Sequence, residues 1–273
     1  MDGIVVAQIN GSVVKAFAIL KLFSQERPEL TAADVARETG MNAITAHRFL
    51  RTLEHVGALV AVTKGIYRLG YVFADLGDRV LRNDALARLL QPFLNRLTEE
   101  LQEATMATVF RSDMVTCIAR ATSKRSLSVD IRVGTQLEAY CTAHGKTWLA
   151  YMPDHERERY LQSVERVRFT TNTIIDLEAL NAELEKVREQ RYAINDSERE
   201  DGIRAVAVPI LTRTGRMIAG ISAFGPSSRF TESAMQTALG RLRATAQEVE
   251  DSLYGAERRP VGPDVRAKPA PQE

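Results

Sequence analysis

Thr45, Arg48 and Thr52 recur at spacings of three and four residues, which places all three on one face of a helix. On that helix Ala46, Phe49, Leu50 and Leu53 form the opposite, apolar stripe. Hydroxyls and a guanidinium turned away from a core suit the edges of base pairs: Arg48 can take guanine in two hydrogen bonds, and Thr45 can meet a phosphate or a thymine methyl. Arg51 flanks this face, His47 lies beside it, and Lys64 and Arg68 follow some dozen residues on, where they can neutralise phosphates. The bland alternative is a solvated face on an ordinary core helix, and for Arg51, Lys64 and Arg68 the two readings weigh about equally.

A second candidate is the run Cys141-Thr142-Ala143-His144-Gly145-Lys146 at the expected start of another helix. Free amides and the helix dipole at such a start favour a small anion, held around Ala143 and His144. Cys141 and His144 also suggest a nucleophile and its base, or half of a zinc site with Cys117 or His155. Neighbours three apart at a helix start rarely reach catalytic geometry and lack a third orienting group. The spacing is equally weak for zinc. Neither an enzyme, a metal nor another cofactor is expected.

These groups need elements to position them. Thr31, with Asp34 three residues on, starts a short helix, Gly40 stops it, and Asn42 caps the next, from about Ala43 to His55. ALVAV and IYRL follow as two strands joined at Thr63-Lys64-Gly65. The whole is a helix-turn-helix with a β-wing over residues 8–70. An earlier helix over residues 12–24, with Val14, Phe17, Ala18, Leu20 and Phe23 as its apolar stripe, packs beneath it. Residues 71–84 read as a linker helix, and 85–103 as an amphipathic helix interrupted or kinked at Pro92.

Beyond residue 103 the period changes to that of strands. MATVFRS, MVTCIARAT and SLSVDIRV read as three strands, and GIRAVAVPIL with GRMIAGISAF as a later pair. Helices are expected at 143–152, 154–163, 177–190 and 232–254, with Asp176 capping the third. Residues 85–255 are therefore an α+β domain with a largely antiparallel sheet. The proline-rich segment 256–273 reads as a disordered tail.

Bulk properties set few limits. The chain has 273 residues, a net charge of +1 and two cysteines, Cys117 and Cys141, each in an apolar context that suits a reducing compartment. The first 70 residues hold eight basic against six acidic side chains, so placement matters more than the sum. No signal peptide or membrane span is read, which makes a cytoplasmic location the expectation.

TAHRFLRTLEHVG followed by GIYRLG resembles the DNA-binding domain of the IclR family of bacterial transcriptional regulators. RVGTQLEAYCTAHGKTWLA, REQRYAINDSEREDGIRAVAVPIL and GISAFGPSSRFTE extend the resemblance from about residue 9 to residue 254. It implies a winged N-terminal domain, a linker helix, and a GAF-like effector domain with a curved sheet. It also implies a homodimer or tetramer on palindromic double-stranded operator DNA, governed by a small-molecule effector.

By position, the resemblance assigns Ser126, Val129, Leu137, Ala143, His144, Asn195, Ala205, Ser222 and Phe224 to the effector pocket. The chain departs from the best-known pattern for small keto acids at four of these. Asn195 stands for an acid, Ala205 for a cysteine, Phe224 for a serine and His144 for a small residue. Those exchanges suit an aromatic or larger carboxylate, with Phe224 as plain core the competing reading. Ile44 stands where a small hydroxyl residue is usual. The rival to a ligand-controlled regulator is a constitutive DNA-binding protein whose second domain only oligomerises.

Overall fold

Backbone capping and one apolar cluster organise the first part of the computed structural model, which describes residues 9–24, 26–125, 129 and 131–255. The chain divides into two compact units, the first ending at Asp84 and the second beginning at Ala85. In the first, α1 (Gly11–Leu20) is capped by the Asn10 side chain, which accepts from the amides of Ser12 and Val13. β1 (Leu30–Thr31) leads directly into α2 (Ala32–Thr39). Thr31 and Asp34 close a full capping box: Thr31 Oγ1 accepts from the Asp34 amide and the Asp34 carboxylate accepts from the Thr31 amide. Gly40, at φ +69°, supplies the left-handed residue that ends α2.

α3 (Ala43–His55) follows, with Asn42 Oδ1 accepting from the Thr45 amide. β2 (Leu59–Thr63) and β3 (Ile66–Leu69) form the wing hairpin, turned at Gly65 with φ +84°. β1 adds to the other side of β3, a third strand that two residues were too few to announce. α4 (Val72–Asn83) completes the unit. Its core holds Ile19, Leu30, Val35, Ala46, Leu50, Leu53, Leu59 and Tyr67. The stripe expected on α1 holds only in part. Leu20 and Phe23 pack against the core as expected, but Val14 and Phe17 are more than half exposed, and Ile19, outside the stripe, is the buried residue, with Ala16 beside it. With apolar residues on nearly every side of that helix, periodicity alone could not select the buried face.

The second unit begins with α5 (Ala85–Leu101), which runs through Pro92 without a break. Its sheet has the order β6-β5-β4-β9-β8-β7, antiparallel at every pairing. The strands are β4 (Ala104–Arg111), β5 (Met114–Ala121), β6 (Gln136–Glu138), β7 (Ala193–Asp196), β8 (Ile203–Leu211) and β9 (Met217–Pro226). Ser112 and Asp113, both at positive φ, make the tight β4–β5 turn.

Two sequence expectations fail here. In SLSVDIRV the described residues Val129, Ile131, Arg132 and Val133 are not in a strand. A turn at Gly134 delays pairing with β5 until Gln136. β7, four residues long behind a helix, was not expected at all. The tail segment 256–273 lies outside the described residues.

One face of the sheet packs on α5 and on α9 (Glu232–Tyr254) through Leu90, Leu94, Leu97, Ile221, Ala238 and Leu242. The other face carries Met106, Cys117, Ala205, Ala207 and Phe224 and is covered by α6 (Ala143–Tyr151). α7 (Asp154–Ser163) and α8 (Leu177–Gln190, capped by Asp176 Oδ1) support α6. α6 starts tight against the turn that follows β6, because Gly145 lies against the backbone of Ala139, where a Cβ would approach to 2.1 Å.

Candidate functional site

α3 presents the polar face that its spacing requires. Ala46, Leu50 and Leu53 are buried; His47, Arg48, Arg51 and Thr52 are exposed, and Thr45 is half-buried. Arg51 is bonded to Glu54 at 3.0 Å, and Thr52 Oγ1 donates to the Arg48 carbonyl at 2.9 Å. Both side chains are thus partly engaged, whereas Arg48 makes no ion pair with any described residue. Lys64 at the hairpin turn and Arg68 on β3 are likewise exposed. Ile44, 77% exposed at the first turn of α3, is an apolar tip with the chemistry to contact a thymine methyl.

In the second unit a cavity of about 630 Å³ opens between the sheet and the first turn of α6. Val129, Leu137, Ala143, His144, Asn195, Ala205 and Phe224 line it. Ser222 is fully buried on β9 and is absent from the cavity wall, and Ser126 lies outside the described residues. Sequence reasoning missed Met106, Ile131 and Gln136, and it missed the loop Arg199 to Ile203, which forms one wall. A run of charges such as SEREDG gives no sign that it borders a cavity.

The hydrogen-bonding character of this cavity is one-sided. Thr142 Oγ1 caps α6 by accepting from the Gly145 amide, and the Lys146 amide donates to the Thr142 carbonyl. The amides of Ala143 and His144, in the first turn, have no acceptor within the helix. Asn195 Oδ1 accepts from the Glu198 amide at 2.8 Å, which leaves its NH2 group as a further donor. Met106, Ile131, Leu137, Ala205 and Phe224 supply apolar walls. Glu200 and Asp201 are the acids on the loop side, and Arg199 is held by Glu138 at 2.7 Å.

His144 is 1% exposed and Nδ1 lies 2.8 Å from Thr108 Oγ1. Burial holds its imidazole neutral, pushing the pKa down to about 3. Its ring therefore bonds to Thr108 and not to Cys141. Burial also pushes the Cys141 thiol up to about 12 and Cys117 up to about 11. Among the described residues no group of three His, Cys, Asp or Glu side chains is placed to hold a metal ion.

A winged helix-turn-helix followed by a donor-lined cavity under a curved antiparallel sheet defines a class of DNA-binding regulators with an effector domain. Residues 12–62 match the IclR helix-turn-helix domain, and residues 78–251 match the bacterial transcriptional regulator IclR C-terminal domain. The chain belongs to the IclR family of transcriptional regulators. It is 33% identical over 247 residues to the Pca regulon regulatory protein of Pseudomonas putida, covering 89% of this chain and 84% of that one. It is 32% identical over 243 residues to the HTH-type transcriptional regulator KdgR of Escherichia coli K12, covering 89% and 92%. An IclR homolog from Microbacterium hydrocarbonoxydans, solved in complex with 4-hydroxybenzoate, superposes with a TM-score of 0.73 at 27% identity, over 90% of this chain and all of the other.

Proposed function

We propose that this regulator reads a palindromic double-stranded operator through α3 and its wing, as a homodimer or tetramer in the cytoplasm, under the control of a small organic acid. Arg48 reads base edges, with Thr45, His47 and Thr52 beside it on α3. Arg51, Lys64 and Arg68 contact phosphate. The acid enters the cavity with its carboxylate on the Ala143 and His144 amides and its body against Phe224, Leu137, Val129 and Ala205. Nothing in this reading calls for catalysis or a bound cofactor.

One observation carries it: the cavity gathers donors at a helix N-terminus and backs them with an apolar wall. Phe224 and the volume favour an aromatic body over a two- or three-carbon acid. The 4-hydroxybenzoate held by the Microbacterium hydrocarbonoxydans homolog is in keeping with that. Ligand then changes which arrangement of the two winged domains in a dimer is favoured, so that their spacing no longer fits both half-sites.

Thermal melting of the full chain with a panel of aliphatic and aromatic carboxylic acids tests this. A ligand that binds only the folded state must raise the melting temperature. The acid that does so should also change the affinity for promoter DNA in a mobility-shift titration. Promoter binding that no acid alters, together with an unmoved melting temperature, would favour a constitutive DNA-binding protein.

A further inference from the structure

Exposed residues rim the cavity on two sides: Gln136 on β6, and Glu200, Asp201 and Gly202 on the loop between β7 and β8. β6 and β7 are the opposite edges of the sheet, so the opening lies between its two ends. Arg199, the residue before Glu200, reaches from one rim to the other. Its Nε donates to Glu138 Oε2 at 2.7 Å, and Glu138 lies two residues beyond Gln136 on the same face of β6. Arg199 lines the cavity while its side chain is 33% exposed, so it has the cavity on one side and solvent on the other. Its guanidinium carbon also lies 5.4 Å from the centre of the Phe169 ring.

The backbone at both ends of this bridge is fixed. Glu198, next to Arg199, gives its carboxylate to buried Lys146. Beyond Arg199, the Ile203 amide donates to the Glu200 carbonyl and the Gly202 amide to Ser197 Oγ. On the other rim the Glu138 carbonyl accepts from Thr142 Oγ1, the group that caps α6. What remains free to move is the Arg199 side chain. A partly exposed ion pair is weak, and exposed side chains change rotamer quickly. A gate that fast scales passage by the fraction of time it stands open.

We propose that the Arg199 side chain gates the cavity, latched shut on Glu138 and swung aside for an organic acid to enter or leave. The inference rests on the reading of the cavity as an organic-acid site. Entry and release use the same opening, so the gate sets the speed of the response to the acid more than its affinity.

A thiol placed inside the cavity of the full chain by Ala205→Cys reports passage without any acid. Ala205 lines the cavity, which has room for the added sulfur, whereas Cys117 and Cys141 are buried and do not line it. N-ethylmaleimide, which is uncharged, is the probe, and mass spectrometry follows the growth of a single adduct. Adding Glu138→Ala, which unlatches the arm, or Arg199→Ala, which removes it, should each speed that adduct by about threefold or more. Glu138 is not part of the cavity wall, so its loss acts through the arm. A charge effect on the thiol would instead move the two variants in opposite directions, because one loses an anion and the other a cation. Rates that stay at the Ala205→Cys level, or that diverge in that way, overturn the gate and leave the acid site standing. Adducts that spread to Cys117 and Cys141 in the variants assign the pair to holding the fold, which also overturns the gate. An introduced thiol that reacts in none of the proteins overturns the open cavity itself, and the acid site with it.

Discussion

Lys146 Nζ lies 2.6 Å from Glu198 Oε1 and 3.1 Å from Glu183 Oε1, with the lysine and Glu198 side chains 2% and 8% exposed. This buried contact fastens α6, whose first turn borders the cavity, to the loop after β7 that forms another of its walls. The loop is fastened again by Thr173 Oγ1, which donates to the Glu198 carbonyl at 2.6 Å, and by the Asn195 side chain. Burial raises the pKa of Glu198, and Lys146 opposes that rise.

Removing one partner of such a pair leaves an uncompensated charge in the interior. Lys146→Met should therefore cost about 3–5 kcal/mol of stability in urea unfolding. The double variant Lys146→Met/Glu198→Leu should recover most of that loss, because an apolar pair carries no desolvation penalty. A single variant that unfolds within about 0.5 kcal/mol of wild type would show that the pair does not hold the loop.

His144 makes the second unit acid-sensitive. Its folded pKa lies near 3, depressed by burial from an ordinary value of 6.5. Between those two values the unfolded chain binds a proton that the folded chain refuses, so stability falls as pH drops below 6.5 and is complete above it. From pH 7 to pH 5 wild type should lose about 2 kcal/mol more than His144→Phe. Parallel melting profiles for the two proteins across that interval would sink the assignment.

The apolar stripe of α3 and the caps at Thr31, Gly40 and Asn42 were legible because each is a local device whose residues lie within four positions of one another. Phe224, Ala205 and Asn195 came from positional resemblance, since no local pattern distinguishes a cavity wall from core. Met106 and Ile131 escaped for the same reason: their neighbours across the cavity are distant in sequence. The Thr108–His144 bond joins residues 36 apart and is set by strand register and the seating of α6 together. β1 and β7 escaped because strands of two and four residues show too little alternation to stand out.

Gly145 is where the seating of α6 is most exposed to a single change. A methyl group there would sit 2.1 Å from both Cα and the carbonyl oxygen of Ala139, and backbone cannot swing aside as a side chain can. Gly145→Ala improves intrinsic helix propensity by up to about 1 kcal/mol, yet it should destabilise by about 3 kcal/mol or more through displacement of the helix. Any acid that stabilises wild type should also lose its thermal shift, because the Ala143 and His144 amides move with the first turn. A variant as stable as wild type would mean that α6 sits farther from Ala139 than the structure places it.

Arg48 and Arg68 separate reading from holding. Arg48 is exposed on the outward face of α3 without an ion-pair partner among the described residues, whereas Arg68 lies on β3 of the wing. A base-edge contact and a phosphate contact leave different traces in binding data. Arg48→Ala should cost about 1–3 kcal/mol on the specific operator and little on random duplex, so the ratio between them collapses. Arg68→Ala should weaken both duplexes together and reduce the slope of log K against log salt by about 1. The measurement is a fluorescence-anisotropy titration of each variant against operator and scrambled DNA at several salt concentrations, with helix content checked by circular dichroism. A folded Arg48→Ala protein that still prefers its operator at the wild-type ratio would remove α3 from base recognition and leave the wing to explain it.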